Sequence, residues 1–396
     1  IGLIALEQTT LLKGGYDLIN FKKTNIFDII KIKSDYFRRY TMAKKKRVSL
    51  TDNFEEVLKK RDFEAFKAIY EKCELNAYYD GRFGLRTALH HRDINEEFAR
   101  WLIEQGLDVN VLDYYENTPL CAHATYGDDM VKVYYELGGD INKASKYGTT
   151  PLHTAANYHH VDTVRFLVDN GADVFAKDDM GRDALHDSLM NSGGIYIIPM
   201  LDIAEILLNA GVAITPEMQD SVRKMGEDFE FHRDSFKKEN IEEIDSALQK
   251  IYKLFAVEPV ARRVVHDGVS PIIPCEGTWK KKFNYLWDYL VPSSGPAKTV
   301  QGELIRIGGR IGDEFYRNGG INWDREYRKM ADALPGYFTL GTALSDDELA
   351  ELNTLVSEIK AQGTPDAVLD RICELAVTWV AKNPDPIALA KPSYKR

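Results

Sequence analysis

Residues 148–179 read GTTPLHTAANYHHVDTVRFLVDNGADVFAKDD, and the prediction of the fold starts from these residues. Pro151 suits the first turn of a helix, where no backbone N–H is needed, and Thr150 before it can cap that helix. Apolar residues over 161–168 recur at helical spacing and predict a second helix. Gly171 is suited to end that helix in the left-handed conformation that a Cβ disfavours. The stretch therefore predicts a pair of helices followed by a turn.

The same pattern occurs four times, and we number the copies repeats 1 to 4. They open with TALH at 87–90, TPLC at 118–121, TPLH at 150–153 and DALH at 183–186. Their closing glycines are Gly106, Gly138, Gly171 and Gly211. The last glycine spacing is 40 residues instead of 32 or 33, which places an insertion around 191–199. Because one helix pair cannot bury its apolar face alone, four copies in phase predict a stack.

This pattern resembles the ankyrin repeat. The segment 300–327, VQGELIRIGGRIGDEFYRNGGINWDREY, is similar to tails of bacterial ankyrin proteins that have no assigned activity. The resemblance covers about half of the chain and implies an ankyrin-repeat solenoid of helix pairs with short β-hairpin tips. Together with helices predicted from the residue pattern beyond it, the expected fold class is all-α, with this solenoid followed by a small helical carboxy-terminal domain. It also implies that the hairpin tips and the concave inner-helix face contact a partner. The hydroxyl of the opening Thr and the His three residues later can tie neighbouring repeats together by hydrogen bonds.

We expect four parts along the chain. Residues 1–49 form a basic amino-terminal extension, with Met42 as the expected natural start. Residues 50–256 form the repeats with a cap at each end, 257–277 a linker rich in Pro and Gly, and 278–396 the helical carboxy-terminal domain. The first cap reads as helices at 54–58 and 63–70 closed by a turn at 75–77. In the carboxy-terminal domain, helices are predicted at 279–290 and 299–318 and from Ser345 and Thr364 onward.

Composition excludes several classes of function. The formal charge of −10 argues against a nucleic-acid partner, because phosphate binding needs a basic surface. No run of 18 apolar residues is present, so we expect no contact with a membrane. Four scattered cysteines and nine histidines without ligand spacing predict reduced thiols, a cytoplasmic location and no metal. No catalytic or cofactor-binding motif occurs, so neither an enzyme nor a cofactor is expected.

The resemblance selects a protein-binding surface by register, and that surface is rich in tyrosine, which suits protein interfaces. His123 belongs to it because it replaces a small inner-helix residue and is expected to face the concave surface. The alternative is that the tip tyrosines pack on neighbouring hairpins. Residues 51–215 carry a formal charge of about −13, which favours a partner protein with a neutral or basic surface. The predicted residues are Tyr79, Arg82, Tyr114, Tyr115, Asn117, His123, Tyr126, Lys146, Tyr147, Asn157, Tyr158, Asp179, Met180 and Arg182.

The predicted helix 299–318 is unusual because it contains four glycines, which are unfavourable inside helices. Another part of the chain should therefore approach it closely. Arg306 and Arg310 on this helix form a candidate anion site. The alternative is a charged face that neutralises itself over a tightly packed helix.

Three functions follow from these patterns. The first is a non-enzymatic ankyrin scaffold that binds another protein through its hairpin tips and concave face. The second is an immunity or antitoxin-like inhibitor, whose acidic face masks a basic active site. The third is a small enzyme or ligand-binding activity in the carboxy-terminal domain, using Arg306, Arg310 and Glu314. The sequence leaves the identity of the partner and the oligomeric state open.

Overall fold

The computed structural model describes residues 45–79, 85–361 and 366–395. Residues 1–44 of the predicted extension lie outside the described residues, as do Arg82 and the predicted helix start at Thr364. The chain divides between residues 80 and 81 into two compact bodies.

The first body contains the predicted pair of cap helices and two strands. Asp62 caps the second helix by accepting a hydrogen bond from the backbone N–H of Ala65 at 3.0 Å. The helices bury Phe54, Leu58 and Phe66. The elements are β1 (Arg47–Ser49), α1 (Phe54–Lys60), α2 (Phe63–Lys72) and β2 (Cys73–Tyr79).

The predicted closing turn at 75–77 is wrong, because these residues belong to β2. β1 and β2 pair in parallel, with Arg47 opposite Cys73. The backbone N–H of Leu50 extends the pairing by donating to the carbonyl oxygen of Tyr78 at 2.8 Å. A neighbouring strand that satisfies its backbone groups therefore keeps this segment extended.

The second body begins with the four repeats and a helical cap. Repeat 1 opens with the short strand β3 (Arg86–Thr87) and a 3₁₀ turn at Ala88–His90. The helices that follow are α3 (Glu96–Glu104), α4 (Pro119–Ala124), α5 (Met130–Glu136), α6 (Pro151–Asn157), α7 (Val161–Asp169), α8 (Ala184–Met190), α9 (Ile197–Asn209), α10 (Pro216–His232) and α11 (Lys238–Leu254).

The inner helices α4, α6 and α8 start as the sequence predicts. The side chains of Thr118, Thr150 and Asp183 each accept a hydrogen bond from the backbone N–H three residues later. Gly171 follows α7 with φ at 89°, the left-handed conformation expected of it. The insertion at 191–199 forms a 3₁₀ turn, Gly194–Tyr196, that leads directly into α9.

The described residues of the carboxy-terminal region, 278–361 and 366–395, form five helices: α12 (Trp279–Leu290), α13 (Val300–Tyr316), α14 (Arg325–Phe338), α15 (Asp346–Lys360) and α16 (Asp366–Lys382). The central helix is α13, which packs against α12, α14 and α16.

The sequence analysis predicts no helix at α14, which contains Pro335 and Gly336, residues that are unfavourable inside a helix. Asp324 nevertheless caps its start, accepting from the backbone N–H of Glu326 at 2.9 Å. Its apolar face, which includes Leu334, is buried in the core. Burial of that face outweighs the unfavourable proline.

The last residues of the chain run along the start of α13. Val300 donates its backbone N–H to the carbonyl oxygen of Ile387 at 2.8 Å. The side-chain amide of Gln301 donates to the carbonyl oxygen of Asn383 at 3.0 Å and accepts from the backbone N–H of Ile387 at 3.1 Å. The tail is thus part of the packed region.

Arg263, in the predicted linker 257–277, joins the repeat cap to the carboxy-terminal region. Its guanidinium donates to the carbonyl oxygen of Phe231 in α10 at 3.2 Å and to that of Asp288 in α12 at 2.6 Å. It also lies 4.1 Å from the ring centroid of Phe231, which stacks on Trp287 at 5.9 Å. The linker is therefore packed between the two helices.

Candidate protein-binding surface

Three hairpin turns with the same hydrogen-bonding pattern connect successive repeats. They span residues 113–117, 145–149 and 178–182. In each, the backbone N–H of the first residue donates to the carbonyl oxygen of the fifth, at 2.9 to 3.0 Å. The Asp178 carboxylate also accepts from the backbone N–H of Met180 at 2.9 Å and of Arg182 at 2.8 Å. These bonds fix the turn without a partner.

Backbone hydrogen bonds connect each turn to the next. Lys146 donates its N–H to the carbonyl oxygen of Tyr115 at 2.9 Å, and Asp179 donates to that of Tyr147 at 3.0 Å. The three turns are thus ordered as one ribbon. Because the turns are already ordered, binding of a partner carries no conformational entropy cost for ordering them.

The ribbon exposes large side chains. Tyr114 is 59% exposed, Tyr147 55% and Met180 76%. Tyr115 is partly buried, with its ring 5.2 Å from that of Tyr114 and 6.3 Å from that of Tyr147. Tyr115 therefore packs on a neighbouring hairpin, as the alternative predicts. The side chains of Tyr114, Tyr147 and Met180 remain available for contact with a partner. We define the tip surface as Tyr114, Tyr115, Lys146, Tyr147, Asp179 and Met180.

Asn117 and Arg182, both predicted as binding residues, hold the turns in shape. The Asn117 amide donates to Asp113 at 3.3 Å. Arg182 lies 2.6 Å from the Asp178 carboxylate and 3.0 Å from that of Asp187. Burial alone would raise the pKa of Asp178, but hydrogen bonds from Arg182 keep that pKa below its usual value. The charge on Arg182 is already neutralised within the chain.

His123 is fully buried, which corrects the expectation that it faces a binding surface. Its Nδ1–H donates to the Asp128 carboxylate at 2.9 Å. Its ring lies 5.4 Å from that of Tyr126 and 5.3 Å from that of Tyr134. Aromatic packing and the charged acceptor of Nδ1–H offset the cost of burying the imidazole, while Nε2 is buried without a hydrogen-bond partner among the described residues.

The remaining predicted residues lie in different places. Tyr126 is half-buried beneath Arg92, whose guanidinium carbon lies 5.6 Å from its ring centroid. At the end of α6, Asn157 is half-buried and Tyr158 is 54% exposed. Tyr79 lies on β2 in the first body, where its ring stacks on that of Phe54 at 6.0 Å.

The opening Thr and His tie neighbouring repeats together, as the sequence predicts. His90 accepts from the hydroxyl of Thr87 at 3.1 Å and donates to the carbonyl oxygen of Asn117 at 3.1 Å. His153 makes the same contacts with Thr150 at 2.9 Å and with the carbonyl oxygen of Arg182 at 3.1 Å. Both histidines therefore support the turns that carry the tip surface.

Sequence reasoning missed a second tie made by asparagines. Asn110 accepts a hydrogen bond from the backbone N–H of Asp140, and Asn142 accepts from that of Asp173, both at 2.8 Å. The signal was present in the sequence, since each Asn follows the Asp of its own closing turn by two residues.

Arg306 does not form an anion site with Arg310, because it already has a carboxylate partner. Its guanidinium donates to Glu303 at 2.6 Å and 2.9 Å, and both side chains are buried. Glu303 also accepts from the hydroxyl of Tyr394 at 2.7 Å. Arg310 instead lines an open cleft of about 530 Å³ that also borders Lys224.

Glu314, assigned to a hypothetical enzyme, is also buried. It accepts from the backbone N–H of Asn322 at 2.6 Å and from the side-chain amide of Asn318 at 3.2 Å. These bonds shape the loop after α13. Arg306 therefore fits the alternative in which the charges of this helix neutralise one another, and Glu314 stabilises the loop that follows α13.

Comparison with known proteins identifies the repeats. Residues 121–218 match the family described as ankyrin repeats (3 copies). No curated protein matches the chain. None of the helices in the described part has the length and apolar character that a bilayer crossing requires. Residues 121–218 are therefore ankyrin repeats, within an all-α array that is followed by a helical carboxy-terminal region.

Proposed function

We propose that this protein is a non-enzymatic scaffold that binds a partner protein through the tip surface. Ankyrin repeats indicate a protein-interaction scaffold. The observation that supports this particular surface is the ribbon of three linked turns exposing Tyr114, Tyr147 and Met180. Large amphipathic side chains held on a rigid backbone lose little entropy on binding and are frequent interface hot spots.

Charge and thiol state extend the proposal. Residues 51–215 carry about −13, so the partner has a neutral or basic surface and is neither nucleic acid nor a membrane. Cys73, Cys121, Cys275 and Cys373 are unpaired thiols, which fits the reducing cytoplasm.

The experiment compares tyrosines inside and outside the tip surface. Full-length protein captures partners from a lysate of its source cells, mass spectrometry identifies them, and the purified partner is titrated against each variant. Replacing Tyr114 and Tyr147 together by Ala should weaken binding at least about tenfold, because two exposed anchors are lost. The melting temperature should not change, since exposed tip side chains add little to stability.

Tyr285→Ala is the matched control. Tyr285 is 41% exposed on α12, outside the repeats. Its loss should leave the affinity unchanged. Equal affinities for wild type and the double tip variant would overturn the proposal, and so would an equal loss in the control.

A further inference from the structure

The insertion in repeat 4 exposes a second group of large side chains. Ile195 is 58% exposed and Tyr196 49%, and both lie in the 3₁₀ turn of the insertion. Met190, at the end of α8, is 56% exposed, and Tyr158, at the end of α6, is 54% exposed. We call these four residues the insertion patch.

His159 holds this patch in one arrangement. Its ring stacks on that of Tyr196, with the centroids 4.7 Å apart and the planes 20° apart. Its Nε2–H donates to the hydroxyl of Ser192 at 2.7 Å, and that hydroxyl donates to the carbonyl oxygen of Ser188 at 2.7 Å. His159 adopts a φ of 59°, which is uncommon for a residue with a Cβ and persists only where contacts hold it.

The insertion patch continues the tip surface. Nη1 of Arg182 lies 3.6 Å from the sulfur of Met190. Arg182 is also the last residue of the turn that carries Met180. The third turn, α8 and the insertion therefore lie side by side, so one partner can contact both groups.

The segments that carry the patch lack cationic side chains. No Lys or Arg occurs over 147–164 or over 183–222. The adjacent Arg182 is neutralised by two carboxylates. The second segment carries six carboxylates, of which Asp183 pairs with Lys177, Asp187 with Arg182 and Asp220 with Arg223. Asp202, Glu205 and Glu217 add negative charge beyond these pairs. A bound segment would therefore meet apolar surface within a negative potential.

We infer that the insertion patch is a second contact area for the partner, and that it takes a protein segment with exposed apolar side chains bordered by lysine or arginine. This inference rests on the proposed function. It means that the insertion determines which partner proteins bind. Apolar contacts with the four side chains supply affinity, and the basic residues complement the carboxylates.

The probe is a library of random 12-residue peptides displayed on phage and selected on the immobilised full-length protein. Selected peptides should be enriched in large apolar residues together with Lys or Arg. A synthetic peptide from the selection should bind at least about fivefold more weakly to Ile195→Ser, and its affinity should fall as salt rises. Val264→Ser, at a 74% exposed valine of the linker, should bind like wild type.

Tyr147→Ala separates this inference from the proposed function. If Tyr147→Ala weakens binding of the peptide and Ile195→Ser does not, the inference fails and the proposed function stands. If only Ile195→Ser weakens binding of the peptide, the insertion patch stands, and the tip surface is tested separately by titrating the captured partner against the Tyr114 and Tyr147 double variant. Selected peptides without basic enrichment, or binding that neither variant changes, would overturn the inference.

Discussion

The repeat array and the carboxy-terminal region are held together by different kinds of contact. In the array, the same side-chain bonds recur, such as His90 and His153 donating to a carbonyl oxygen of the next turn. In the carboxy-terminal region, single networks join distant residues, such as Tyr394 donating to Glu303 across 91 positions.

This difference determines how each region responds to damage. An array whose neighbours repeat one set of bonds loses only one link when a single side chain changes. A region built around one buried charged network has no second copy to compensate. We therefore expect single substitutions to cost most in the carboxy-terminal region, and the predictions below follow that order.

The largest loss is expected for Glu303→Gln. The variant leaves Arg306 buried without its carboxylate, and such changes cost about 3–5 kcal/mol in the free energy of unfolding. Urea unfolding followed by tryptophan fluorescence measures it, since four of the five tryptophans lie at 279–379. The control is Glu351→Gln, whose ion pair with Arg371 is over a third exposed and should cost less than about 1 kcal/mol. An equal loss in the free energy of unfolding for the two variants would contradict the claim that burial makes the Glu303 network more important than an exposed ion pair.

The array should lose stability as pH falls from 6.5 towards 4. Burial lowers the pKa of His90 to about 4 from an ordinary value of 6.5, and the smaller effect of its neighbours does not reverse this. In that window the unfolded chain binds a proton that the folded chain does not, so the loss reaches up to about 3 kcal/mol. His159, whose pKa burial also lowers, acts in the same direction. His90→Gln should flatten the curve of unfolding free energy against pH; an unchanged slope would refute the assignment to His90.

Gly309 and Gly312 should respond to alanine in opposite ways. A Cβ at Gly309 would overlap the ring of Trp287, so Gly309→Ala should cost about 1–3 kcal/mol. At Gly312 the nearest atom is in the Tyr316 ring at 3.4 Å, an ordinary contact. Gly312→Ala should therefore stabilise α13 by about 0.5–1 kcal/mol. Thermal unfolding of the two variants tests this, and the same sign for both would contradict the packing described here.

Two histidines of the array provide a smaller contrast. His153→Ala removes the ties to Thr150 and to the carbonyl oxygen of Arg182, at a cost of about 1–2 kcal/mol. His186 occupies the same repeat position, but its ring makes no hydrogen bond within the described residues, so His186→Ala should cost less than about 0.5 kcal/mol. Denaturant unfolding of the two variants measures the loss in the free energy of unfolding for each. A cost for His186→Ala as large as that for His153→Ala would show that the tie is unimportant.

The sequence predicted the array well because each of its contacts repeats at a readable spacing. The capping Thr150, the tie made by His153 and the turn at Gly171 were all visible in residues 148–179. His123 was misplaced because this position differs between repeats and no second copy indicated its burial. Tyr114 and Tyr147 were expected to be exposed, but the backbone bonds that order their turns join different repeats and leave no sequence signal.

The carboxy-terminal region was less predictable because its contacts do not repeat. The glycines of α13 correctly indicated close approach, since Phe283, Trp287 and Cys373 lie against Gly308 and Gly309. The i,i+3 spacing of Glu303 and Arg306 allowed the self-neutralised alternative, but it did not show that the pair lies inside the core. Helix α14 was not predicted, and it contains Pro335, a residue that is unfavourable inside a helix.

Hydroxyl-radical footprinting of the full-length protein with its captured partner tests the binding surface most directly. Methionine and tyrosine side chains report on their own exposure, and both regions of the second body expose them. We predict that the partner slows oxidation of Tyr114, Tyr147 and Met180 several-fold and leaves Tyr285 and Tyr316 unchanged. Protection of Tyr285 and Tyr316 with unchanged oxidation of the tip surface would contradict the account.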